Sequence, residues 1–284
     1  MSYFSQLAKI VAISVVLLLL GIFFSIFWQS RSAIATFGIN FLTVSDWNPQ
    51  KEVFGILPQI FGTLISSILA LIIAIPIGLA VAIFLSEDWW FMPKFLQVGL
   101  IYLVELLAAI PSVVYGLWGI FVLVPWLRGV FSFTHTFSDR GMLPAVLVLG
   151  LMILPGITSL SRDALLSISP DLRLAAMGLG ATRWESILDI QIPAAKVGIS
   201  GAILLAWGRA MGETMAVTML IGNSNQLRFS IFAPGTTIAS LLANQYNESS
   251  GLQGSALMYG ALVLFGLTIV VNGLAELLSS KDFN

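Results

Sequence analysis

Two ionisable residues, Arg209 and Glu213, stand inside an apolar stretch, residues 196–222, that is long enough to cross a membrane. A spanning segment needs about 20 apolar residues. An ionised side chain at its centre costs roughly 2.5–3.5 kcal/mol on insertion scales. Such a charge faces either a water-filled path or a partner group. On one helix, residues four apart share a face, so the spacing predicts that Arg209 and Glu213 do so. Two chemistries fit the pair: a substrate-contacting or gating charge, or an internal salt bridge that holds a bundle together. Gly208 and Gly212, with Ala216 one turn on, form a small-xxx-small pattern that lets another helix approach closely.

A second carboxylate, Glu105, precedes Pro111 in another apolar stretch. Proline removes a backbone donor and kinks a helix, and a broken helix beside a carboxylate can line a cavity. The alternative is a Glu105 near the interface that snorkels to water.

These residues need spans to hold them. Hydropathy predicts six, at about 10–29, 57–85, 95–126, 142–161, 196–222 and 255–278. Lys9 precedes the first, and Ala33-Ile34-Ala35 resembles a signal-peptidase site. The run is nonetheless as long as a full span, and Arg31 sits just before the cut, so it reads as an uncleaved helix. Trp47-Asn48-Pro49 signals a turn, and Pro155-Gly156 a bend. Trp89 and Trp90 fall where interfacial aromatics belong. The fold class expected is all-α: a polytopic transmembrane bundle in one domain over residues 1–284.

Composition agrees. Only 10% of the 284 residues are charged and 58% are hydrophobic, against about a quarter charged in globular domains. The mean hydropathy is +0.97. A net charge of −1 gives no basic field for nucleic acid. With no cysteine there is no disulfide, thiolate metal site or cysteine nucleophile. The single histidine, His135, reads as a solvated residue of the polar loop 128–141. No P-loop pattern and no cofactor motif is present, so an enzyme is not expected.

The longest polar segment, 162–195, reads as two short helices. Ser169 is a good N-cap, with Pro170 and Asp171 suited to the first turn. Gly180 can end that helix in a left-handed conformation. Thr182 caps the next, with Glu185 completing a capping box, and Ile192-Pro193 ends it. The apolar residues Leu172, Leu174, Ala175, Ala176, Leu179, Ile187 and Ile190 need covering. A docking surface is one reading; a hairpin tucked under its own bundle is the other. Arg162, Arg173, Arg183 and Lys196 lie in or beside this loop, with Lys9, Lys94 and Lys281 on the same side. Arg31, Lys51, Arg128, Arg140 and Arg228 lie opposite. This bias predicts that the loop and both termini face the cytoplasm.

Ala175-Ala176, Gly180, Ile190 and Ile192-Pro193 resemble the EAA loop of ABC importer permeases, with matching spacing throughout. Two positions depart: Leu174 stands where Glu is usual, and Ile192 replaces Leu. Downstream, Gly208-Arg209-Ala210-Met211-Gly212-Glu213-Thr214-Met215-Ala216-Val217-Thr218, then Ile221-Gly222-Asn223, resemble the PstC-type permeases of phosphate importers. So do Glu105-Leu106-Leu107-Ala108-Ala109-Ile110-Pro111-Ser112, Tyr115-Gly116 and Ala243-Asn244. The resemblance covers most of residues 60–275.

It implies a type I importer permease in a bacterial inner membrane, surrounded by lipid. The implied partners are a PstA-like permease, two ATP-binding subunits that hydrolyse the ATP, and an external phosphate-binding protein. The implied cargo is inorganic phosphate. Ala175, Ala176, Gly180, Thr182, Arg183, Glu185, Ile190 and Pro193 would then couple to the ATPases. Arg209, Glu213 and Glu105 would line the substrate path. Arginine suits phosphate, because its planar fork matches two oxygens and it stays charged at any working pH. Glu213 would neutralise it in the empty pore. A permease for another oxyanion, or a stand-alone channel or carrier, is the alternative.

Overall fold

In the computed structural model, backbone is described for residues 2–87, 92–131 and 138–281, and side chains for 5–87, 92–131 and 138–273. Trp89, Trp90 and His135 lie outside the described residues. Helix α1 (Ser2–Phe37) and the short α2 (Asn40–Thr43) lead into an antiparallel hairpin, β1 (Trp47–Asn48) and β2 (Val53–Phe54). The expected turn at Trp47–Pro49 is that hairpin. Asn48 Oδ1 accepts from the Gln50 and Lys51 amides, which sets the turn. Then come α3 (Leu57–Ser86), α4 (Lys94–Ala109) and α5 (Ser112–Trp118). A π-helical turn, Gly119–Leu123, joins α5 to α6 (Val124–Val130). Helix α7 (Met142–Leu166) precedes α8 (Pro170–Gly178) and α9 (Arg183–Glu185). A second π turn leads to α10 (Ile192–Ala194), then α11 (Lys196–Gly212), α12 (Met215–Leu220), α13 (Ile238–Gln245) and α14 (Gly251–Lys281).

Among the described residues, five helical stretches are long and apolar enough to cross a membrane: Ser5–Phe37, Leu57–Ser86, Ser112–Val130, Met142–Leu166 and Gly251–Gly273. Arg183–Ala194 and Lys196–Gly212 meet at 70° and would together supply a sixth. Two expectations need correction. The interruption expected at Pro111 is there, but the stretch apolar enough to cross is Ser112–Val130 and not 95–126. Ile110 and Pro111 both take extended backbone, so α4 and α5 are separate helices. The bend expected at Pro155-Gly156 falls within α7, whose helix runs on through the proline. In a bundle, neighbouring groups re-satisfy the backbone that a proline frees. The stretch 223–253 between the last two expected spans is not all loop, because α13 lies within it and Ala243-Asn244 sits on a helix. Thr237 and Ser240 close a capping box at its start, an unusual one with serine in the third position.

The centre is α3 packed along α7, with α11 across both. Small residues on α3, Ala70 and Ala74, meet Leu149, Met152, Ile153 and Ile157 of α7, and Leu220 of α12, with Ile221 just past its end, closes the cluster. Gly78 is required there, since a Cβ would lie 2.9 Å from Ile157 Cγ2. A second cluster joins the end of α1, the hairpin, α13 and α14, with Phe41 stacked on Tyr259 at 4.5 Å. Between the clusters, α3 carries a buried polar row of Gln59, Thr63, Ser66 and Ser67. Thr63 accepts from the Ile238 amide, and Ser67 accepts from Trp207 Nε1 at 3.1 Å. Most of α1 exposes apolar side chains, among them Leu17, Leu18 and Phe24. Such a surface fits a lipid environment.

Candidate translocation site

The apolar stretch 196–222 does not hold Arg209 and Glu213 on one continuous helix. Helix α11 ends at Gly212, Glu213 is extended at φ −65°, ψ 124°, and α12 restarts at Met215. Local side chains make the break. The Thr214 hydroxyl donates to Gly212 O at 3.1 Å, and Glu213 Oε1 accepts from the Ala216 amide at 3.3 Å. That carboxylate therefore satisfies one of the amides left free where a helix starts. Arg209 stands in the last turn of α11, exposed, with no ion pair to Glu213 or to any other described residue. Glu213 is half-buried.

A second helix break lies at Ile110–Pro111. Helix α5, which follows the proline, packs on α12, which follows Glu213. Gly116 permits it: a Cβ there would lie 2.7 Å from Met219 Sδ and 3.2 Å from Ala216 Cα. Tyr115, one residue earlier, is buried, lies within electrostatic reach of Arg209, and donates its hydroxyl to Leu107 O at 2.8 Å across the proline break. Trp207 fixes the rotation of α11, because its Nε1 bond to Ser67 holds that face against α3. Residues two apart on a helix point to nearly opposite sides, so anchoring Trp207 turns Arg209 away from α3. Tyr115 entered the sequence reading only through the resemblance, and the Trp207–Ser67 bond was not legible. Glu105 is exposed on α4. Among the described residues, no element makes the close approach expected at Gly208 and Gly212. A Cβ at Gly208 would meet only Asn272 Nδ2 at 3.9 Å, and one at Gly212 nothing within 4 Å.

The loop 162–195 folds as the sequence predicts. Ser169 caps α8, Gly180 sits at φ +96°, and Thr182 and Glu185 close the capping box, with Glu185 Oε2 accepting from the Thr182 amide at 2.7 Å. Arg183 and Glu185 lie in α9. Pro193 does not end the helix as expected; the chain bends two residues later, before α11. Ala176 and Ile187 are buried inward, whereas Ala175 is exposed and Ile190 half-buried. Leu172, Leu174, Met177, Leu179, Trp184 and Leu188 remain exposed, Leu179 at 92%. The loop also holds an ion pair that the sequence reading missed: Arg173 Nη2 of α8 lies 2.6 Å from Glu87 Oε2, just past the end of α3.

Residues 74–281 match the family model described as the binding-protein-dependent transport system inner membrane component. The chain is 43% identical to the phosphate transport system permease protein PstC of Pasteurella multocida, over 97% of this chain and 90% of that one. It is 40% identical to the PstC of Mesorhizobium japonicum, over 96% of this chain and 88% of that one. Among solved structures, a chain of a bacterial alginate ABC transporter superposes with a TM-score of 0.65 at 16% identity, covering 97% of this chain and 94% of that one. A chain of the inward-facing MetNI methionine ABC transporter superposes at 0.64, also at 16% identity, covering 83% and 99%. The two superpositions show the fold, a type I ABC importer permease, and sequence identity shows the family: the chain belongs to the PstC family of phosphate transport system permease proteins, within the binding-protein-dependent inner membrane components.

Proposed function

We propose that this multi-pass membrane permease forms half of the translocation path of an ATP-driven inorganic phosphate importer, with Arg209 as the residue that meets the anion. The observation that carries the residue assignment is the open Arg209 at a helix break. A cation left without an internal counter-ion offsets the desolvation of an incoming oxyanion. Its fork matches two phosphate oxygens, and Tyr115 lies within its electrostatic reach. Glu213 caps α12 and supplies negative charge nearby, which limits how long the anion stays. Glu105 lines the entrance from α4.

The chain is a permease subunit; ATP hydrolysis belongs to partners. We read residues 1–284 as a single transmembrane permease domain with its core at 60–275. Its other half is a PstA-like permease, which covers the open seam at Gly208 and Gly212. Two ATP-binding subunits dock on loop 162–195, whose exposed leucines and Trp184 give them an apolar surface. Ala175, Ala176, Gly180, Thr182, Arg183, Glu185, Ile190 and Pro193 shape that surface. An external phosphate-binding protein delivers the cargo.

The lysine and arginine bias of the loops supports an orientation with loop 162–195 and the termini in the cytoplasm, in a bacterial inner membrane. A cysteine at exposed Gln226 should react with an impermeant thiol reagent added outside, and one at exposed Leu188 should not. The reverse pattern overturns the orientation. The function is tested by radiolabelled phosphate uptake into vesicles carrying this chain with all its partners. Uptake should require ATP and should resist excess sulfate and molybdate. Equal competition by either ion contradicts the substrate assignment.

A further inference from the structure

The inner end of α3 is a knot of four elements. Gln97 Nε2 of α4 donates to Leu85 O and Glu87 O, each at 3.1 Å. Arg162 Nε of α7 donates to Leu85 O at 3.3 Å. Arg173 of α8 pairs with the Glu87 carboxylate at 2.6 Å. The last carbonyls of a helix lack internal partners and carry its negative end, so an amide and a guanidinium suit them. The pair itself asks for more. The Glu87 side chain is only 3% exposed and that of Arg173 29%. A carboxylate so far out of water is kept by its cation, and Arg173 sits on a short helix rather than within the bundle.

Helix α8 has two faces. Arg173 and Ala176, three apart, turn inward, and Leu174 and Leu179 turn outward. Among the described residues, α8 buries Ala176 and pairs Arg173 with Glu87, and it packs on the π turn Ser186–Gln191, beside a cleft of about 130 Å³ bordered by Glu87, Arg173, Ser169 and Gln191. A polar contact flanked by a cleft transmits a shift of α8 and can also be remade after it. Gln97 and the start of α4 belong to the same knot. Helix α4 runs from there to the break at Ile110–Pro111, where Tyr115 bonds back across to Leu107 O.

We infer that the Glu87–Arg173 pair is the coupling link of this permease: it ties the ATPase-docking helix α8 to the inner ends of α3 and α4, so that movement of the docking loop reaches the helix break beside Arg209. Neither residue touches the cargo; both are positioning residues. The inference rests on loop 162–195 being the ATPase-docking surface.

The test uses the complete reconstituted importer and reads three quantities: ATPase subunit retained, ATP hydrolysed, and phosphate moved per ATP. Glu87→Gln leaves a partly solvated Arg173 and should keep retention and hydrolysis while phosphate per ATP falls about tenfold, within the range usual for coupling between sites. The exchanged pair, Glu87→Arg with Arg173→Glu, should recover at least part of that ratio. An unchanged ratio in Glu87→Gln overturns the inference. If Glu87→Gln does not assemble, Arg173→Lys decides, since it keeps the charge and loses the fork. A lowered ratio then supports the link, and a normal ratio overturns it. The docking reading fails separately: Leu174→Asp would leave ATPase retention unchanged.

Discussion

Two arginine–glutamate couples in this chain behave in opposite ways. Arg209 and Glu213 are four residues apart in an apolar stretch, and spacing alone marries them. The structure keeps them apart: the helix stops between them, Glu213 spends its carboxylate on the Ala216 amide, and Arg209 stays exposed. Arg173 and Glu87 lie far apart in sequence, and nothing in the pattern links them. They close to 2.6 Å with the carboxylate almost fully buried. The difference teaches where charge is structural and where it is available. A buried, closed pair is committed to holding elements together. An exposed arginine at a helix break, inside an otherwise apolar span, is free for a visiting anion.

The comparison breaks most visibly at Arg209. Arg209→Gln should lower phosphate uptake by roughly 100-fold or more per assembled complex, the order expected when one partner of a desolvated charge contact is removed. Arg209→Lys should fall between, since it keeps the charge and loses the bidentate fork. Normal uptake in Arg209→Gln would remove the site from the path.

Stability should show the opposite asymmetry. Arg173→Gln strands a buried carboxylate and should destabilise the purified complex by about 3 kcal/mol or more. Glu87→Gln should cost less, because the remaining guanidinium reaches water. Chemical denaturation of the two variants, compared at equal assembly, checks the order; equal losses would mean that the pair is not buried as described. A smaller cost is expected at Gly180, where a Cβ meets open space and only the left-handed backbone resists. Gly180→Val should cost about 1–2 kcal/mol locally. Under the docking reading it also raises ATP hydrolysis per phosphate moved, and an unchanged ratio would count against loop 162–195 as the coupling surface. Smallest of all, Glu213→Gln keeps an oxygen to accept from the Ala216 amide and should change stability by less than about 1 kcal/mol. A large loss there would revive the internal salt bridge.

Much of this was legible in the sequence, for identifiable reasons. Hydropathy located the spans at 57–86 and 142–166 within a few residues, because long apolar runs leave little choice in a bilayer. The caps at Ser169 and Thr182 were legible because capping acts over two or three residues. The break at Gly212–Thr214 was not. A lone glycine is common in membrane helices, and the break depends on what the Glu213 and Thr214 side chains choose to bond. Pro111 announced a disturbance, but not that Ile110 would also leave the helix. The Glu87–Arg173 pair and the Trp207–Ser67 bond join distant parts of the chain, so only the packed fold reveals them.

The central claim is that Arg209 serves the anion and not Glu213. It is tested most directly by phosphate uptake per assembled complex in Arg209→Gln, Glu213→Gln and the double variant, side by side. The account predicts that Arg209→Gln is nearly inactive, that Glu213→Gln retains substantial uptake, and that the double variant is as inactive as Arg209→Gln alone. Recovery of uptake in the double variant would contradict it, because two charges that matter only to each other can be removed together.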